Sequence, residues 1–167
     1  MDLKPGDLFL TNSTNIISKS INFIQRWWSL DNKSTYSHAG IIVDKTGKTF
    51  EAKFKGLIYS NINEISKKSD LLIVRHSFMS ETIFNKSFER LKYHTGMMYP
   101  FHRLFLHIIP PLAKIFAKDK AVCSELVGQL LYQAEFLYYW KGINPDDLHE
   151  IFLNWKHFEI IHKREAK

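Results

Sequence analysis

The sequence of 167 residues holds one cysteine, Cys123. That excludes an intramolecular disulfide and any metal site built on several thiolates. No apolar run approaches the roughly 18 residues of a membrane-spanning helix, and the opening residues lack the apolar stretch of a secretory signal. The chain as written is therefore expected to be cytoplasmic or phage-borne. It has no HExxH pair, no glycine-rich phosphate loop and no G-x-S-x-G elbow. Zinc-hydrolase, nucleotide-dependent and serine-hydrolase chemistry thus have no motif to stand on. His102 and His107, like His157 and His162, lie five apart, which is not a ligand spacing. No metal and no organic cofactor is expected. Repeats, low-complexity tracts and linkers are missing too, so residues 1–167 read as a single domain.

What is present is ordinary in bulk and unusual in detail. The hydrophobic fraction of 45% and charged fraction of 24% suit a globular domain. Aromatics reach 14%, a surplus that a core, an interface or a lipid-facing surface can use. The net charge of +6 favours anionic partners. The basic residues are spread along the chain, with no arginine-rich arm and no nucleic-acid motif, so no nucleic-acid partner is expected.

The pattern along the chain is a meander of short strands with helices before and after it. Pro5-Gly6-Asp7 reads as a turn before the apolar strand Leu8-Phe9-Leu10. Ser13 to Leu30 carries apolar residues at helical spacing. Tyr36 to Val43 reads as a strand, Lys45-Thr46-Gly47-Lys48 as a hairpin turn, and Thr49 to Phe54 as the returning strand. Leu57-Ile58-Tyr59 and Leu71 to Arg75 extend the series, which predicts an antiparallel sheet. Glu81 to Tyr93 and the segment AVCSELVGQLLYQA predict helices, as does Asn144-Pro145-Asp146-Asp147, a helix start with a cap, a proline and two acids. His157 to Ile161 reads as a last strand. The fold class expected is α+β.

Cys123 opens a predicted helix. Helix N-termini offer positive partial charge and free amides, which lower a thiol's pKa and can also receive an oxyanion. A lone cysteine is by default a small buried hydrophobe. His38, in Ser37-His38-Ala39-Gly40, supplies the natural base for a thiol, with small neighbours that let another element approach. Glu51, on the returning strand, can meet the far ring nitrogen and fix the tautomer, although an isolated strand Glu more often faces solvent. Tyr36 and Ser37, adjoining His38, are candidate substrate contacts.

Pro5-Gly6-Asp7, Ser37 to Val43, Phe50-Glu51-Ala52-Lys53, Gly96 to Tyr99, Val122 to Val127 and the late Asn144 to Leu148 keep their order over nearly the whole chain. Together they resemble the circularly permuted papain-like hydrolases of the NlpC superfamily. The nearest likeness is to the YiiX-like branch, related to the lecithin retinol acyltransferase group. The resemblance implies a papain-like antiparallel sheet or half-barrel with packed helices. It implies Cys123 as nucleophile, His38 as base and Glu51 as the orienting residue, with histidine before cysteine in the chain. It also implies that Tyr99 stands near the oxyanion or substrate subsite, although the segment around it departs from the family's polar loop and an aromatic there is more often a packing residue.

The reaction expected is hydrolysis of an amide or ester through an acyl-enzyme on Cys123. The substrate is expected to be an acyl lipid or lipid-linked amide. A peptidoglycan stem peptide is the alternative, and a non-catalytic binding module of the same fold a third. The lipid preference comes from Phe101 to Phe116, an apolar segment with three nearby prolines, expected as a wall or lid beside Cys123 or else as core. This segment and Ile21 to Leu30 carry basic residues beside apolar ones, so peripheral contact with an anionic membrane is a further expectation. Oligomeric state is not legible.

Overall fold

The computed structural model describes residues 1–13, 36–53, 56–98 and 122–165. The expected helix beyond Ser13 and the whole of Phe101–Phe116 lie outside these residues, as does Tyr99. Among the described residues, six strands and four helices follow in chain order: β1 (Leu8–Ser13), β2 (His38–Ile42), β3 (Lys48–Lys53), β4 (Gly56–Asn61), α1 (Ile62–Ile65), β5 (Ser69–His76), α2 (Glu81–Met98), α3 (Val122–Gln133), α4 (Pro145–Asn154) and β6 (Phe158–Arg164). One 3-10 turn, Ser66–Lys68, joins α1 to β5.

All strand pairs are antiparallel, and the sheet order is β4-β3-β2-β1-β5-β6. The first strand is thus central. Leu8, Phe9 and Leu10 are completely buried, which explains why three consecutive apolar residues occur there: both faces of β1 are covered. Leu71 to Val74 of β5 show the same run for the same reason. The larger apolar layer lies between the sheet and the helices, with Leu8, Leu10 and Ile41 against Phe88 of α2, Leu126 of α3 and Leu148 of α4. A smaller layer, Leu3, Phe9, Ile42, Ile62, Leu71 and Ile73, covers the other face. Burying each such side chain stabilises the fold by about 1.5–3 kcal/mol.

Local chemistry sets the connections. In the β2–β3 turn, Asp44 Oδ1 accepts from the Thr46 amide at 2.8 Å and the Lys48 amide at 3.1 Å, and Gly47 takes a φ of 84° that a side chain would resist. The hairpin register, Ile41 opposite Phe50 and Ile42 opposite Thr49, follows. At the start of α4, the Asn144 side chain accepts from the amides of Asp146 and Asp147, and Asp147 Oδ2 accepts from the Asn144 amide at 2.9 Å. This capping box, with Pro145 behind it, is the helix start read from the sequence.

Near the chain start, Asp7 is buried and takes two hydrogen bonds from Arg75, Nε at 2.7 Å and Nη2 at 2.9 Å, locking β1 to β5. Two differences from the sequence reading stand out. α1 was not anticipated, and α2 runs five residues beyond the expected end at Tyr93, to Met98.

Candidate active site

Cys123 is the second residue of α3, and His38 is the first of β2. Both therefore sit where an element begins, and α3 lies against β2 and β3. Two side chains at the start of α3 fix its placement. Ser124 Oγ donates to the Ile143 carbonyl at 2.7 Å, and Glu125 Oε1 accepts from the Gly142 amide at 2.7 Å. The residues just after Cys123 are thus moored to the segment that leads into α4.

The Cys123 thiol hydrogen-bonds the His38 ring. His38 Nε2 donates to Glu51 Oε2 at 2.6 Å, which leaves Nδ1 for the thiol. Glu51 is completely buried and its carboxylate is fully engaged. Thr49 Oγ1 donates to Oε1 at 3.1 Å, Lys53 Nζ lies 3.2 Å from Oε2, and the Ser60 hydroxyl adds a further bond. The solvent-facing alternative for Glu51 is therefore not what the strand adopts: Thr49, Phe50, Glu51 and Ala52 are all buried.

Gly40 makes this packing feasible. A Cβ built there would fall 2.4 Å from the edge of the Phe9 ring and 3.2 Å from the Glu51 Cβ. The missing side chain lets the Phe9 ring and the stem of Glu51 pack over the same point of β2, close to His38, whose ring centroid is 6.1 Å from that of Phe9.

The electrostatics follow from these contacts. Burial alone would push the His38 pKa down. The hydrogen bonds and charges of Cys123 and Glu51 outweigh it and raise the pKa to about 9. Burial would raise that of Glu51, and His38, Ser60 and Lys53 instead bring it to about 2. Burial also acts upward on the Cys123 thiol, yet the His38 ring and the backbone amides of Ala39 and Ser124 bring it below its ordinary value. Near neutral pH the ring is an imidazolium backed by a carboxylate, and the thiol beside it is shifted toward the thiolate form. Its outer end is open: His38 is 20% exposed and Cys123 is partly exposed, whereas Glu51 is sealed.

Of the expected substrate contacts, Tyr36 packs into the main core with its ring edge-on to His149 at 4.8 Å, and its amide approaches Asp146 Oδ1 at 3.4 Å. Ser37 is buried, its amide donates to the Thr11 carbonyl, and its hydroxyl finds no hydrogen-bond partner among the described residues. Thr49, Ser60, Lys53 and Gly40 escaped the sequence reading as parts of the site. Thr49 was readable, because residues i and i+2 of a strand share a face. Ser60 depends on the β3–β4 register, which periodicity does not give.

A surface cavity of about 580 Å³, lined by Arg90, Tyr132, Glu135 and Tyr138 among others, contains none of the three central residues. Among the described residues, no group of three or more His, Cys, Asp or Glu side chains converges as donors to a metal ion, and no helix is long and apolar enough to cross a membrane.

No protein-family profile matches the sequence, and no curated protein matches it. Among solved structures, the chain is similar to one described as the metalloprotein yiiX from Escherichia coli O157:H7. The TM-score is 0.61 at 16% identity, covering 98% of this chain and 99% of that one. At that identity the likeness concerns the fold: the YiiX-like architecture expected from the ordered motifs is the one the chain adopts.

Proposed function

We propose that this protein is a cysteine hydrolase that cleaves an amide or ester bond through an acyl-enzyme on Cys123, in the manner of the permuted papain-like enzymes its motifs resemble. The observation that carries the reading is the unbroken chain from the Cys123 thiol through the His38 ring to the buried Glu51 carboxylate. Neither packing nor binding calls for a thiol, a ring and a buried acid in that sequence of contacts, and nucleophilic catalysis does.

In the reaction, the Cys123 thiolate adds to the substrate carbonyl carbon. Charge builds on the carbonyl oxygen, where the Cys123 amide, in the first turn of α3, is placed to donate. The His38 imidazolium gives its proton to the departing amine or alcohol, leaving a thioester and a neutral ring. His38 then takes a proton from water as the water attacks the thioester. Cys123 leaves as thiolate, the acid is released, and the imidazolium is restored. Glu51 stays ionised throughout, holding Nε2–H and offsetting the positive ring.

The proposed substrate is an acyl lipid or a lipid-linked amide. The support is compositional: the apolar, proline-broken residues 101–116 precede Cys123 by only seven positions.

The test is covalent labelling of the intact protein with matched electrophiles, one bearing a long acyl chain and one a short peptide, read by mass on Cys123. The long-chain probe is expected to label at about pH 6 faster than an ordinary thiol allows, and Cys123→Ala should abolish the adduct. A labelling rate that follows an unperturbed thiol would remove the hydrolase reading. Preferential labelling by the peptide probe would keep the chemistry and replace the substrate.

A further inference from the structure

The carboxylate of Glu51 holds two cations on one oxygen. His38 Nε2 is 2.6 Å from Oε2 and Lys53 Nζ is 3.2 Å from the same atom, so the two nitrogens lie within about 6 Å of one another. Lys53 is on the same strand as Glu51, two residues on, so it shares the face toward which the carboxylate points. Its ammonium also meets Ser60 Oγ of β4 at 3.5 Å, while that hydroxyl bonds Glu51. Ser60 therefore donates to the acid and accepts from the lysine, closing a small ring of contacts. Thr49 needs no cation, because it serves the other oxygen, Oε1.

We propose that Lys53 is a positioning residue that competes with His38 for the Glu51 carboxylate and so holds the acidity of the His38 imidazolium in a working range. The proposal rests on the hydrolase reading of the site and adds to it a residue that touches no reacting atom. The physical need is specific. A thiolate on one side and a buried carboxylate on the other both strengthen the grip of His38 on its proton. A histidine that never releases that proton cannot act as general acid to the leaving group. A second cation on the carboxylate weakens the grip by sharing the negative charge and by repelling the positive ring. The charged and titratable groups that bear on the pair are Cys123 from α3, His38 from β2, and Glu51 and Lys53 from β3; β4 supplies the neutral Ser60. Lys53 is 41% exposed, so water screens the effect and its size is modest.

The experiment is an NMR titration of the His38 ring in histidine-labelled full-length protein, in wild type, Lys53→Met, Lys53→Gln and Lys53→Arg. Removing the charge should raise the His38 titration point by about half a pH unit or more, and Arg should hold it near wild type. The high-pH limb of turnover on an acyl substrate should move up by the same amount in Met and Gln. An unchanged His38 titration in both neutral variants would overturn the proposal. A fall would also overturn it, because Lys53 would then be a clamp that aligns the carboxylate rather than a competitor for it. If His38 in wild type already titrates at the value of a free histidine, the ion-pair reading of the whole site fails, and the role of Lys53 falls with it.

Discussion

Two histidines are packed into opposite halves of this sheet, and their surroundings push them in opposite directions. His38, on β2, has an acid on one nitrogen and a thiol on the other, and its pKa rises to about 9. His76, at the end of β5, is stacked on Phe136 with ring centroids 3.8 Å apart and meets Phe158 edge-on at 4.9 Å. Burial there, helped by the nearby His157, lowers its pKa to about 4, and its Nδ1 has no hydrogen-bond partner among the described residues. Burial acts downward on both. What separates them is whether the burying groups carry negative charge. A histidine among aromatic rings is a neutral packing piece, and a histidine between a carboxylate and a thiol is a stored proton.

The most damaging way to break the comparison is to take the charge from the first site. Glu51→Gln keeps the shape of the side chain but deprives the imidazolium of its counter-charge and offers Lys53 no anion. Turnover is expected to fall about 10²- to 10⁴-fold, with the His38 titration point moving toward 6.5 and that of His76 unmoved. Steady-state kinetics and a histidine titration read both; unchanged turnover would mean that Glu51 serves packing alone.

Gly40→Ala attacks the same site through space rather than charge. The new methyl would overlap the Phe9 ring, so ring or strand must shift, at a cost of about 1–3 kcal/mol in stability. Thermal melting should register that loss, and the raised His38 pKa should fall as the contact to Glu51 is strained. A normal melting point with normal activity would show that Phe9 has room to turn away.

The smallest effect concerns the second histidine and sharpens the contrast. A group whose folded pKa is depressed from 6.5 to about 4 makes the fold lose stability as pH falls through that window, because the unfolded chain takes the proton first. His76→Phe should therefore flatten the drop in urea midpoint between pH 7 and pH 5 and leave turnover alone. His149, depressed chiefly by burial as well, keeps part of the slope. His38 acts in the opposite sense at the top of that range, because the stability from its raised pKa is lost as pH rises between about 6.5 and 9, and that from the lowered Glu51 pKa is lost below the range, between about 4.5 and 2; both act alike in wild type and variant, so the difference between them isolates His76. An unaltered pH dependence in the variant would assign the acid sensitivity to other groups.

How much of this was legible depended on range. The hairpin that sets Glu51 beside β2 spans few residues and carries its own turn, so its pairing could be read from Lys45-Thr46-Gly47-Lys48 and the β-branched run before it. The cap at Asn144 was equally local. The meeting of Cys123 with His38 is not local, and what made it readable was the order of motifs rather than any spacing. Sheet order was not legible: nothing in Leu71 to Val74 says that β5 lies against β1 instead of beyond β4, because an apolar run reports burial and not the neighbour. Ser60 went unread for the same reason, since the pairing of β3 with β4 decides what reaches Glu51 from the side, whereas Lys53, two residues from Glu51 on the same strand, was as readable as Thr49. Residues 99–121, on which the substrate preference leans, fall outside the described structure.

The sheet order also sets a timetable. Strands β1 to β4 are consecutive both in the chain and in the sheet, so residues 8–61 can pair as they leave the ribosome, and the His38–Glu51 contact belongs wholly to that stretch. Cys123 is synthesised 72 residues after Glu51 (123 − 51 = 72) and meets His38 only when α3 docks. During synthesis, then, His38 and Glu51 can meet before Cys123 exists, and the thiol gains the ring and the amides that lower its pKa only when α3 docks. The shifted thiol appears in the last act, once the helix that carries it has been moored.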